Sequence, residues 1–271
     1  MKLKSLLLIS LMATSPFSQG ADIRSTAPEN VGMSGERLGR ISQLMQQSVE
    51  NETIAGSVTL IARKGKIVHF ENTGLLNLDT GEPMQKDSLF RIYSMTKPIT
   101  SVAAMLLFEQ GKFQLDDPIA KYLPEFGNLK VLLNDTLVEP DHAPTIRELM
   151  SHTAGLTYGV FSNTEIDQRY REAIWGDRAM LDLTQLRGDA AQINVKNLDE
   201  MSQALAKIPL LYQPGSQWVY SLSVDILGRL IEVISERPLD QFLQQEIFDP
   251  LDMEDTFFEI PKDKISRFGT N

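Results

Sequence analysis

Apolar residues recur every three or four positions along several stretches of the chain, and this spacing predicts amphipathic helices. The first predicted helix spans residues 34–51, with Ser34 as its N-cap. Its apolar face comprises Leu38, Ile41, Leu44 and Met45. The other predicted helices lie at residues 94–111, 115–124, from 145 onward, at 198–207, 222–235 and 239–247. The polar segment 156–196 carries no clear period, and we expect it to be irregular.

A β-hairpin is predicted near the start of the chain. Residues 56–62 and 66–70 are rich in β-branched side chains and flank a short turn at Lys64-Gly65. Residues 74–87 contain Gly, Asn, Asp and Pro and are expected to form a loop. Strand signals are almost absent afterwards, yet a two-stranded sheet is only marginally stable alone. We therefore expect either that helices cover the hairpin or that further strands of its sheet lie beyond Asn271.

Length and charge narrow the class of protein. The chain has 271 residues, of which 42% are hydrophobic and 23% charged, which is typical of a globular protein with one large or two small domains. The net charge is −10 and the sequence contains no basic cluster. Nucleic acid and anionic membrane surfaces are therefore not expected as partners.

The first 20 residues have the pattern of a secretory signal peptide. Lys2 and Lys4 precede an apolar run at residues 6–13, and small residues precede Ala21. The run is too short to span a bilayer, so no stable membrane anchor is expected. The sequence thus predicts cleavage near Gly20 and a periplasmic or secreted mature protein.

The reactive side chains of the sequence exclude several kinds of catalysis. There are no cysteines, so disulfides and a thiol nucleophile are both absent. The three histidines are His69, His142 and His152, and none has a second histidine or a carboxylate at a convincing metal-ligand spacing. We therefore expect no metal centre. The sequence also lacks a Gly-x-Ser-x-Gly elbow on which a Ser-His-Asp triad could be built.

Ser94 and Lys97 are the strongest candidates for catalysis. They are three residues apart at the start of the predicted helix 94–111, and residues at this spacing share one helix face. A serine hydroxyl is a weak nucleophile until a neighbouring base takes its proton, and the Lys97 amine is within reach. The pair predicts covalent catalysis through Ser94, although a Ser-x-x-Lys match alone is a weak signal.

Five sequence blocks occur in the order seen in one enzyme superfamily. They read FRIYSMTK, LDDPIAKYLPEF, TIRELMSHTAGL, YQPGSQWVYS and FDPLDMEDTFF. Together they resemble the serine β-lactamase and penicillin-binding-protein superfamily, in which Ser-x-x-Lys is the nucleophile motif. Within it, the chain is most similar to the class C β-lactamase-like branch and to its family VIII carboxylesterases. The resemblance covers nearly all of the chain after residue 20.

This resemblance implies roles for individual residues. Ser94 corresponds to the nucleophile and Lys97 to its lysine partner, while the second motif, Tyr-x-Asn, corresponds to Tyr220-Ser221-Leu222. Tyr220 and Lys97 are then expected to move the proton between the serine and the leaving group. The resemblance implies no metal and no organic cofactor.

Leu222 departs from the motif and bears on the substrate. Asparagine offers an amide to amide-containing substrates, and leucine offers none. Esters are therefore favoured over β-lactams and peptides. The residues expected to contact the substrate are Tyr93, Leu222 and Trp218.

The third motif of the superfamily, Lys/His-Thr-Gly, has only a misplaced counterpart. His152-Thr153-Ala154-Gly155 looks similar but precedes Tyr220, so we interpret it as part of a mainly structural block. The motif itself is expected more than a hundred residues after Tyr220, on a strand that supplies the second oxyanion-hole donor. Nothing after residue 222 fits it, so the sequence predicts that this chain is an N-terminal portion of a longer enzyme.

The predicted fold is α/β, of the α+β type. A helical domain is inserted into an α/β domain with an antiparallel sheet, and the C-terminal part of that sheet is expected to be missing. The predicted segments are the signal peptide at 1–20, the first part of the α/β domain at 21–89, the helical domain at 90–250 and a truncated return segment at 251–271.

The predicted function is a secreted serine hydrolase, specifically a carboxylesterase that cleaves short-chain esters through an acyl-enzyme. One alternative is a β-lactamase or D-Ala-D-Ala carboxypeptidase, and another is a non-catalytic cell-wall-binding protein on a hydrolase scaffold. The expected partner is a small-molecule ester or β-lactam-like substrate. The sequence does not predict an oligomeric state.

Overall fold

The computed structural model describes residues 23–176 and 194–269. The predicted signal peptide lies outside these residues. The described chain forms two compact units. The sheet unit contains the described residues up to Phe90 and those from Ile260 onward, and the helical unit spans Arg91–Glu259.

Within its described residues, the sheet unit contains one α-helix and three antiparallel strands. Helix α1 spans Gly35–Glu50, and the strands β1, β2 and β3 span Gly56–Arg63, Lys66–Asn77 and Glu82–Pro83, in the order β1-β2-β3. Ser34 caps α1 by accepting a hydrogen bond from the Arg37 N–H, as predicted. The predicted apolar face of α1 is only partly correct, because Leu44 is exposed.

Strand β2 is longer than the sequence predicts, and the expected loop at 74–87 is partly sheet. The prediction was wrong because glycine is typical of loops, yet Gly74 lies within strand β2. Gly74 lies opposite Gly56 in the β1–β2 register. A Cβ on Gly74 would lie 2.4 Å from the Ala55 carbonyl oxygen, so glycine is what allows the two strands to approach so closely.

The helical unit contains six α-helices and one short hairpin within its described residues. The helices α2 to α7 span Thr96–Glu109, Ile146–Met150, Glu165–Trp175, Leu198–Leu205, Ser223–Ser235 and Leu239–Leu243. The last is followed by a π-helical turn at Gln244–Phe248. Strands β4 and β5, at Val131–Leu133 and Thr136–Val138, form an antiparallel pair that the sequence does not predict.

Two helix predictions in this unit are wrong. Residues 115–124 form no α-helix but 3-10 turns at Ile119–Lys121 and Pro124–Asn128. Helix α4 lies inside the segment predicted to be irregular. Its apolar side is a narrow stripe, Ile166, Tyr170 and Ile174, spaced by four and fully buried, so its polar residues dominate the composition. The predicted irregular stretch at 177–193 lies outside the described residues.

The contact between α2 and α6 determines where the candidate site forms. Helix α2 buries Ala103, Ala104 and Leu107 in the core of the helical unit, and α6 buries most of its apolar residues in the same core. Burial of each such side chain stabilises the fold by about 1–3 kcal/mol. Ser94 lies just before α2, which begins at Thr96, and Tyr220 lies just before α6, which begins at Ser223. None of the helices in the described residues is both long and apolar enough to cross a membrane.

Candidate active site

Ser94 lies on a strained turn before α2. It occupies the middle of a 3-10 turn, Tyr93–Met95, and is exposed. Tyr93 has φ = +43°, a left-handed conformation that is unfavourable for a non-glycine residue. Strain of this kind costs about 1–3 kcal/mol and is concentrated at functional sites. The turn presents the Ser94 hydroxyl outside the regular helix.

Lys97 approaches Ser94 from the first turn of α2. Its side chain is half-buried, and Nζ donates a hydrogen bond to Ser94 Oγ at 3.3 Å. The 3-10 turn that leads into α2 provides this proximity, because residues i and i+3 lie on one face of such a turn.

Tyr220 reaches the same oxygen atom from a distant part of the chain. Its hydroxyl donates a hydrogen bond to Ser94 Oγ at 2.5 Å. Burial raises the pKa of Tyr220, but hydrogen bonding with Lys97 and Ser94 and the Lys97 charge outweigh it, so that the pKa is lowered overall. A lowered pKa makes the phenolate more accessible and suits Tyr220 to accept the Ser94 proton.

An aromatic group that the sequence interpretation missed surrounds this trio. The Tyr158 ring stacks on the Tyr220 ring with centroids 5.6 Å apart and an interplanar angle of 6°. Lys97 Nζ lies 4.9 Å from the Tyr220 centroid and 5.7 Å from the Tyr158 centroid, within cation–π range. Burial raises the pKa of the Tyr158 hydroxyl. The sequence feature that points to Tyr158 is its position just after the block TIRELMSHTAGL, three residues beyond Gly155.

Two further titratable groups lie near Lys97. His152 is half-buried with its ring centroid 5.0 Å from that of Tyr220, and burial together with the Lys97 charge lowers its pKa. Burial raises the pKa of Asp225 in the first turn of α6, and Lys97 opposes this effect. The lowered pKa of His152 and the raised pKa of Asp225 both favour the neutral forms of these two groups.

The three predicted substrate-contacting residues lie in different environments. Tyr93 and Trp218 are 73% and 66% exposed, whereas Leu222 is 3% exposed and packs in the core of the helical unit. Trp218 lines an open cavity of about 360 Å³ beside Tyr220. The other lining residues are Thr157, Phe161, Ser162 and Val219. Phe161 was not predicted, because it lies in the segment expected to be irregular.

Metal ligation has no candidate group in the part of the chain that the structure describes. No cluster of three or more His, Cys, Asp or Glu side chains there could hold an ion. The groups that meet at Ser94 Oγ are the amine of Lys97 and the phenol of Tyr220.

Residues 41–270 match the sequence model of the family described as Beta-lactamase. The chain belongs to the beta-lactamase family. This confirms the resemblance read from the five sequence blocks.

Curated relatives within the beta-lactamase family include two bacterial proteins. The chain is 33% identical over 222 residues to protein Rv1367c of Mycobacterium tuberculosis, covering 80% of this chain and 51% of that protein. It is 32% identical over 219 residues to Esterase EstB of Burkholderia gladioli, covering 81% and 51%. The chain thus spans about half the length of the curated relatives it matches.

A solved structure supports the fold assignment. EstCE1, described as a hydrolase with promiscuous acyltransferase activity, superposes with a TM-score of 0.71 at 31% identity, over 86% of this chain and 56% of that one. The predicted class, helices combined with antiparallel sheet in the β-lactamase-like arrangement, is confirmed.

Proposed function

We propose that this protein is a serine hydrolase that cleaves short-chain carboxylic esters through an acyl-enzyme on Ser94. One observation carries the proposal: Ser94 Oγ accepts hydrogen bonds from Tyr220 at 2.5 Å and from Lys97 at 3.3 Å. A nucleophile with two proton-carrying groups at hydrogen-bond distance is the arrangement that covalent catalysis requires.

The proposed reaction has two steps. In the reactive form Tyr220 is a phenolate that the Lys97 ammonium stabilises. Ser94 Oγ attacks the ester carbonyl carbon while its proton passes to the phenolate oxygen of Tyr220. The carbon–oxygen bond then breaks, and the alcohol leaves with that proton. Water attacks the acyl-enzyme, its proton returns through Tyr220 to Ser94 Oγ, and the carboxylic acid is released.

Two features support esters as the substrate class. Leu222 is apolar and buried, so this position offers no amide to a β-lactam or peptide. Trp218 and Phe161 line the cavity beside Tyr220, which suits an apolar group of an ester. The names of EstB and EstCE1 as esterase and hydrolase are consistent with this proposal.

Release of p-nitrophenol from its acetate and butyrate esters tests the proposal. We expect a burst followed by turnover, and we expect Ser94→Ala to lose both, since it removes the only proposed nucleophile. Ser235→Ala is the matched control, because Ser235 is a half-buried serine at the opposite end of α6 from Tyr220. Equal rates for Ser94→Ala and the unmodified protein contradict the proposal.

The same variants separate the alternatives. Faster acylation of Ser94 by a chromogenic cephalosporin than by esters favours a β-lactamase or D-Ala-D-Ala carboxypeptidase. Binding to peptidoglycan that survives Ser94→Ala, without ester turnover, favours a non-catalytic cell-wall-binding protein.

We also propose that the protein is exported, from the signal-peptide pattern of residues 1–20. Cell fractionation with N-terminal sequencing is the test. We expect a periplasmic or secreted protein that begins near Ala21. A cytosolic protein that retains Lys2 and Lys4 contradicts the proposal.

A further inference from the structure

We infer that His152 is a positioning residue that holds Tyr220 against Ser94 through an unprotonated Nδ1. The inference rests on the proposed function, in which Tyr220 carries the proton of Ser94. It gives a mechanistic role to a residue that the sequence assigns to a mainly structural block.

The backbone on both sides of Tyr220 is hydrogen-bonded to His152. The Val219 N–H donates to the His152 carbonyl oxygen at 2.9 Å. The Ser221 N–H donates to His152 Nδ1 at 3.3 Å, and the Ser221 hydroxyl lies 3.0 Å from the same nitrogen. Residues 219–222, here called the Tyr220 turn, are thus clamped by one residue. A further bond joins the Leu222 N–H to the Thr157 carbonyl oxygen at 3.2 Å.

The direction of these bonds determines the form of the imidazole. A backbone N–H can only donate, so His152 Nδ1 must accept and its ring proton must lie on Nε2. The Ser223 hydroxyl lies 2.7 Å from the Ser221 hydroxyl, which completes a chain of donors ending at Nδ1. A proton on Nδ1 would face the Ser221 N–H directly and would break the side-chain part of the clamp, leaving the Val219 bond to the His152 carbonyl oxygen.

The surroundings keep His152 in that neutral form. The titratable groups that face the ring are Lys97 from α2 and Tyr220 from the turn itself. Burial and the Lys97 charge lower the pKa of His152. At neutral pH the clamp is therefore intact, and acidification through this lowered pKa is expected to open it.

Backbone conformation decides which variants test the clamp. His152 has φ = +57°, a left-handed value that Asn and Gly adopt more readily than other residues. His152→Asn keeps a potential acceptor at the δ position, and His152→Gly removes the acceptor without backbone strain. The two variants therefore differ mainly in the hydrogen bond to Ser221.

Ester kinetics give the first test. We expect His152→Gly to lower kcat by about 10- to 100-fold with little change in KM, since displacing a catalytic group costs rate rather than binding. His152→Asn should retain kcat within about 3-fold, because the acceptor remains. Equal kcat for the unmodified protein and His152→Gly overturns the inference.

The pH profile distinguishes positioning from mere packing. In the unmodified protein, protonation of either the catalytic base or His152 stops the reaction. The plot of log(kcat/KM) against pH should therefore steepen to a slope of about two at low pH. In His152→Asn one ionisation is gone, and the slope should stay near one. The same slope in both proteins overturns the inference.

Nitrogen-15 NMR of the histidine rings measures the tautomer of His152 and so tests the clamp independently of catalysis. The signals of His152 are assigned by their absence in His152→Asn, leaving those of His69 and His142. We expect the neutral Nε2–H tautomer at pH 7, and a protonated Nδ1 overturns the inference. The Nε2–H tautomer in a protein without Ser94-dependent turnover would refute the proposed function while leaving the clamp in place.

Discussion

Two parts of the candidate site reach the same oxygen atom by different routes. The helix-borne half, Ser94 with Lys97 on α2, is joined over three residues at 3.3 Å. The loop-borne half is the Tyr220 turn together with residues 152–157. The Tyr220 hydroxyl lies 2.5 Å from Ser94 Oγ, although the two residues are 126 positions apart in the sequence. One half depends on helical geometry and the other on hydrogen bonds between loops.

The difference determines how each half responds to substitution. Helix α2 satisfies its backbone through its own hydrogen bonds and is fixed by buried Ala103, Ala104 and Leu107. The Tyr220 turn belongs to no regular element before α6, so its backbone groups bond to His152 and Thr157. We therefore expect changes near the loop-borne half to cost both rate and stability, and comparable changes on α2 to cost less.

The largest expected effect is that of Tyr220→Phe, which removes the hydroxyl by which the loop-borne half bonds to Ser94. The ring remains to stack on Tyr158, so folding should be preserved. We expect kcat for p-nitrophenyl esters to fall by about 10²- to 10⁴-fold. Tyr212→Phe, which removes a phenol hydroxyl of the same unit outside the trio, is the control. A loss below tenfold would show that Lys97 alone serves Ser94.

A pair of glycine substitutions compares the stability of the two halves. Gly111 and Gly155 both have left-handed backbones, at φ = +71° and +83°. A Cβ on Gly111, just after α2, meets nothing within 4 Å, whereas on Gly155 it would lie 2.4 Å from the Tyr212 carbonyl oxygen. Gly155→Ala should therefore lower the free energy of unfolding by about 3 kcal/mol, from backbone strain plus overpacking.

Gly111→Ala carries the backbone strain alone and should cost about 1 kcal/mol. Denaturant unfolding of both variants measures the difference. Equal losses would mean that residues 152–157 move aside freely, which would remove the distinction between the two halves.

A smaller effect than that of Gly155→Ala is expected at Asp167, which fixes the loop carrying Tyr158 and Phe161. Its buried carboxylate accepts hydrogen bonds from Thr157 at 2.6 Å, from the Thr164 hydroxyl at 2.7 Å and from Ser162. Burial raises the pKa of Asp167, but these bonds and the Thr164 N–H outweigh it and lower the pKa overall. Asp167→Asn should cost about 2 kcal/mol of unfolding free energy at neutral pH.

This loss should depend on pH with a definite sign. Because the folded pKa is lowered, the carboxylate stabilises the protein above the unfolded pKa of about 4, and the contribution vanishes as pH falls through the folded value. The gap between the unmodified protein and Asp167→Asn should therefore narrow below pH 4. Glu172→Gln, an exposed carboxylate on the same helix, should show no such gap. A gap that is constant from pH 7 to pH 3 contradicts this account.

Local patterns in the sequence predicted the regular parts of the molecule well. The N-cap Ser34, the β1–β2 hairpin and the helices α1, α2, α5 and α6 follow from periodicity and turn residues. Helix α4 was not predicted because its buried stripe is narrow. Strand β3 was not predicted because it is only two residues long, Glu82–Pro83, within a segment that has the composition of a loop. Where one residue type serves both a turn and a close strand approach, composition alone does not distinguish them.

What the sequence determined by itself was the proximity of Ser94 to Lys97 and the family. Ser94 and Lys97 lie within one turn, so their proximity is a property of the local backbone. The placement of Tyr220, the stacking of Tyr158 and the clamp by His152 were decided only by tertiary structure. They join residues up to 126 positions apart, and which loops meet depends on how α2 and α6 bury their apolar faces in one core.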